Sequence, residues 1–213
     1  VGFPIIVALI AKWVVNSLFA ATIKRLRNAE LDTLQDRVFK GTVRTLLDAV
    51  GVAAVLVAGY TMLGIVPRSP YSVEIAQLLI NAIAVIAGAG VIARALLAPH
   101  ADQLRIIPVT AGTSAYLYIW FRRLSVVGVA GYVLSRIATL TTSPETTVVI
   151  EVLSALVFAL LLTILVLQNR QSVALSIRGN NNSQIRARVA DIWHVFALIY
   201  IFLVFCIFGF GAQ

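Results

Sequence analysis

Six apolar runs, each about long enough to cross a bilayer, alternate with short polar breaks along this chain of 213 residues, and that alternation limits its fold severely. A helix needs roughly 20 apolar residues to span about 30 Å of hydrocarbon. The runs at 2–23, 45–66, 73–98, 114–140, 145–167 and 190–211 meet that length. A soluble domain of this size has too little interior to hide them, because 60% of the residues are hydrophobic, only 12% are charged, and the mean hydropathy is +0.95. The expected fold class is an all-α integral membrane protein, with about six transmembrane helices arranged as three hairpins.

The polar breaks define those hairpins. The first occupies 1–66, with the connection 24–44 reading KRLRNAELDTLQDRVFKGTVR. Leu26, Leu31, Leu34, Val38 and Phe39 recur there mostly three to five residues apart, which predicts an amphipathic helix lying in the membrane surface. The second hairpin, 73–140, turns through an elbow at 99–113. Pro99 and Pro108 stop helices there, and Thr113 or Ser114 is placed to cap the helix that follows. Tyr116, Tyr118 and Trp120 supply rings suited to the boundary between lipid and water. The third hairpin, 145–211, carries a basic connection at 168–189. Basic turns thus recur about every 70 residues, the scale of a hairpin repeat.

Charge sets the expected orientation. Lys24, Arg25, Arg27, Arg37, Lys40 and Arg44 fall in the first connection, Arg94, Arg105, Arg122 and Arg123 flank the elbow, and Arg170, Arg178, Arg186 and Arg188 fall in the last. The second connection has Arg68 and the fourth has Arg136 nearby. The positive-inside rule then puts the three basic turns in the cytoplasm and both chain ends outside. The net charge of +8 lies mostly in these short turns, so anionic lipid headgroups are the expected partner and nucleic acid is not. Arg25, Arg27, Arg122 and Arg123 are the expected headgroup contacts.

Ionisable residues inside apolar runs are functional candidates by default, and Lys12 and Glu151 are the two here. For Lys12, snorkelling toward a headgroup is the stronger reading. Asp48 follows Arg44 by one helical turn and Asp191 follows Arg188 by about one, so each is expected to pair locally. His194 beside Trp193 reads as an interfacial anchor. Ser143, Pro144 and Glu145 read as a helix cap, a first-turn proline and an acid at the positive end of the dipole. Gly88, Gly128 and Gly131 are expected to let helices approach closely, Gly88 through the small-xxx-small spacing with Ala84. Gly88, Gly90 and Ala93 also fit a dinucleotide fingerprint, but no strand precedes them. Asn181, Asn182 and Ser183 match a glycosylation sequon, which carries no meaning on a cytoplasmic loop. The single Cys206 can form neither a disulfide nor a zinc site within this chain. No paired carboxylates, nucleophilic triad or metal-ligand spacing is visible, so no enzyme, cofactor or metal is expected.

One family resemblance can be placed on these residues. A helix rich in Gly and Ala, the break ADQLRIIPVTAGTSAYLYIWFRRLS, a helix containing Gly128, Gly131 and Tyr132, and an apolar helix ending in LVLQNRQSVALSI follow one another, most clearly over 81–208. This order resembles the N-terminal transmembrane region of the large MscS-family mechanosensitive channels of the YbiO type. The resemblance implies membrane paddles around a homoheptameric pore that releases ions and small osmolytes on hypo-osmotic shock. The family's pore helix leads into a soluble β-rich domain, and no run here does so. With no Met at position 1, the chain is expected to be the sensor piece of a longer protein, without pore helix or soluble β domain. A helical-hairpin repeat of a secondary transporter and a structural membrane subunit are the competing readings.

Overall fold

The computed structural model describes residues 2–28, 34–65, 69–97, 111–179 and 184–210. All the described elements are helices: α1 (Gly2–Asn28), α2 (Leu34–Ile65), α3 (Pro70–Leu97), α4 (Ala111–Thr141), α5 (Pro144–Arg178) and α6 (Gln184–Phe210). Each of the six contains a stretch long and apolar enough to cross a membrane. The expected class, an all-helical multi-pass membrane protein, fits these elements.

Helix ends depart from the expected connections. Residues 34–44 are the first turns of α2 and do not form a separate surface helix. Extending an existing helix fixes one residue per hydrogen bond gained, whereas a separate helix needs a new nucleus. Residues 168–178 likewise belong to α5, which continues for 35 residues until Gly179. Gly179 adopts φ 53°, which a side chain resists, and its N–H closes the helix on the Leu175 carbonyl at 3.1 Å. At 1.5 Å per residue α5 is about 50 Å long, well beyond the hydrocarbon thickness. At its other end the expected cap forms: the Ser143 hydroxyl accepts from the Thr146 N–H, with Pro144 opening the helix. Pro99, His100, Arg105, Pro108 and the sequon at 181–183 lie outside the described residues.

The chain divides into two compact units, 1–133 and 134–213. In the first, α2 packs against both α1 and α3. Ala8 of α1, Val55 of α2, and Ile80 and Ala84 of α3 form its centre, with Val52, Leu56, Leu63 and Ile83 around them. Close approach is possible because Gly59 lacks a side chain: a Cβ there would lie 2.9 Å from Ile80. Gly51 plays the same part toward Asn16, whose Oδ1 would be 2.7 Å from an added Cβ. The Tyr60 hydroxyl donates to Asn81 Oδ1 at 3.0 Å and joins α2 to α3 again. Among the described residues α3 therefore packs along α2. In the second unit α5 and α6 pair as an antiparallel hairpin, and Ala190 is buried where they meet.

Candidate functional site

Polar side chains within the first unit gather near the end of α3. Asp48 of α2 reaches Arg94 of α3 at 2.9 Å, and Arg94 also donates to the Tyr118 hydroxyl of α4 at 3.5 Å. Asp48 thus reaches across to a neighbouring helix, a bond that the expected local pairing with Arg44 did not include. Crossing to α3 lets one carboxylate neutralise a guanidinium that would otherwise enter an apolar environment unpaired. Arg44 is itself buried. Lys12 of α1 is half-buried and lies within electrostatic reach of Arg94 and Arg122. Lys12, Arg94 and Arg122, from three helices, thus lie within electrostatic reach of one another, with Asp48 paired to Arg94.

The elbow is tied by a bond that the expected cap did not foresee. Ser114 lies inside α4, which begins at Ala111, and its hydroxyl donates to the Leu97 carbonyl at the end of α3. The last carbonyls of a helix have no partner within it, so Ser114 closes the C-terminus of α3 and not the N-terminus of its own helix. Trp120 is buried two turns on, with Tyr116 against it at 6.3 Å and the Arg123 guanidinium 5.7 Å from its ring centre. Arg122 and Arg123 are both exposed, and Arg123 lies over the ring face. Arg25 and Arg27 belong to α1, but their side chains lie outside the described residues.

The small residues singled out for packing fall differently. Ala84 is in the core, whereas a Cβ on Gly88 meets open space. Gly128 is exposed and Gly131 is half-buried. Close approaches are seen at Gly51 and Gly59, which no spacing motif marks.

In the second unit, Glu151 accepts a 2.6 Å hydrogen bond from Ser135 across the short turn between α4 and α5. Asp191 of α6 pairs with Arg178 of α5, so the expected local pair with Arg188 is replaced by a bond that closes the hairpin. The Trp193 indole donates to the Arg170 carbonyl at 3.1 Å, one level deeper. Between these two ties lies an open groove of about 440 Å³, lined by Arg170, Gln171, Leu175, Arg178, Asp191 and His194 among others. The Trp193 and His194 rings meet edge to face at 6.5 Å. Among the described residues no three His, Cys, Asp or Glu side chains converge to hold a metal ion.

Sequence reasoning missed the Asp48–Arg94 pair, the bond from Arg94 to Tyr118, the bond from Ser135 to Glu151, and the groove. A signal for the first was present: Asp48 stands three residues into one apolar run and Arg94 four before the end of the next. In adjoining antiparallel helices that puts opposite charges at similar depth. Compared with known proteins, the chain matches no family model, no curated protein and no solved structure.

Proposed function

We propose that the chain is the tension-sensing transmembrane paddle region of an MscS-like mechanosensitive channel, which releases ions and small osmolytes on hypo-osmotic shock. The observation that carries this reading is α5, where not one of 35 residues is buried by protein. A helix so apolar and so uncovered takes its environment from lipid. Leu153, Leu160 and Leu167 on α5, and Phe196, Tyr200 and Leu203 on α6, are exposed in the same way. Membrane tension lowers the free energy of whichever state occupies more area, so hairpins that tilt or spread on opening would bias a pore open. The overhang of α5 beyond the hydrocarbon thickness leaves length for such tilting. The basic turns are assigned to the cytoplasm, the chain ends to the periplasm, and the assembly to a homo-oligomer around a pore.

Osmotic downshock tests this reading. Liposomes loaded with a self-quenched dye and carrying the full-length protein are expected to release it on dilution, and a version lacking residues 1–213 should need a larger downshock. Equal release from protein-free liposomes would refute the channel. A secondary transporter draws on Glu151, a carboxylate held by Ser135 within a membrane-length helix. Its mark would be uptake driven by a proton gradient and abolished by Glu151→Gln.

A further inference from the structure

We infer that the groove between α5 and α6 binds the phosphate of an anionic phospholipid headgroup. Its walls are built for one added negative charge. Arg178 is matched by Asp191, while the Arg170 guanidinium, on the same groove, makes no ion pair or hydrogen bond among the described residues. The net charge of this set is therefore +1, that of a counterpart to a phosphodiester. Gln171 and His194 line the groove with further polar groups that can serve a headgroup. The Trp193 indole, bonded to the Arg170 carbonyl, fixes one wall against the other.

Position along the helices selects the source of the phosphate. At 1.5 Å per residue, the apolar stretch 146–167 of α5 measures about 33 Å, close to the hydrocarbon thickness. Arg170 lies three residues, less than one helical turn, beyond its end, at the level where headgroup phosphates lie. Trp193 opens the long apolar part of α6 at the same level, where indole rings favour the interface. Exposed Leu167 on the deep side offers a path for an acyl chain, and exposed Leu175 adds an apolar edge to the groove itself. A free phosphate ion would use the cations but neither of these apolar surfaces.

This inference rests only on the membrane-spanning part of the proposed function and is tested without any current. Trp13 and Trp120 are replaced by Phe in the full chain, leaving Trp193 as the sole indole of the three. The protein is reconstituted in phosphatidylcholine vesicles containing rising fractions of brominated phosphatidylglycerol or brominated phosphatidylcholine. Phosphatidylglycerol should quench Trp193 with a relative association about fivefold above phosphatidylcholine, the preference expected of one basic residue near a bilayer surface. Arg170→Gln should bring the ratio close to one, and Arg170→Lys should retain most of it. Equal quenching by the two lipids in the parent protein would overturn the site. So would loss of the preference on adding inorganic phosphate at constant ionic strength, which would make the groove a site for the soluble ion. Absence of quenching by either lipid would overturn the site together with the membrane assignment of α5 and α6. Selective quenching without suction-gated current would leave the site standing and refute the channel.

Discussion

Asp48 and Arg94 bring opposite charges into neighbouring apolar helices, and their 2.9 Å contact makes each tolerable there. Removing one partner strands the other. Asp48→Ala is expected to cost roughly 1–3 kcal/mol of unfolding free energy, the usual loss for a hydrogen bond to a charged group. Steric-trap unfolding in bicelles measures it. The double variant Asp48→Ala with Arg94→Leu should recover part of the loss, because no charge is then left behind. Equal and additive losses would mean that the two side chains do not stabilise one another. Lys12 belongs to the same region, where Arg94 and Arg122 reinforce its positive field. Its isolation inside an apolar run was legible in the sequence, but the company it keeps was not, since those cations come from α3 and α4.

At the scale of the helices, packing depends on where a side chain is missing. Gly59→Ala places a methyl 2.9 Å from Ile80 and should destabilise the first unit by about 1–3 kcal/mol, with Ile80→Ala in the same chain restoring room. Gly88→Ala meets open space and should be neutral or stabilise α3 by up to about 1 kcal/mol through helix propensity. Thermal denaturation in detergent ranks the two. The reverse ranking would move the contact of α3 to its Gly88 face. Span number was legible because an apolar run of sufficient length is a local property that burial elsewhere cannot change. Helix ends were less so. Arg170 and Arg178 make the sequence polar, but backbone hydrogen bonds continue regardless of side-chain polarity until Gly179 provides a left-handed stop. Ser114 shows the same limit: its type marks a helix end, and only the fold decides that the end is that of α3.

The whole molecule combines helices that bury little with polar ties concentrated near helix ends. Charge pairing resists separation of neighbouring helices at points such as Arg178–Asp191, whereas the apolar lengths between those points exchange protein contact for lipid contact at small cost. Such a layout allows helices to tilt about tied ends. The candidate groove was hidden from sequence because Arg170 and His194 are 24 positions apart and meet only when the hairpin closes. The most direct measurement is patch-clamp recording from liposomes under graded suction, comparing the full-length protein with a version lacking residues 1–213. The account predicts currents that appear with suction, at a threshold that shifts when the segment is removed. Currents with an unchanged threshold would reduce the segment to a scaffold, and well-folded protein that carries no current at any sub-lytic suction would contradict the channel outright.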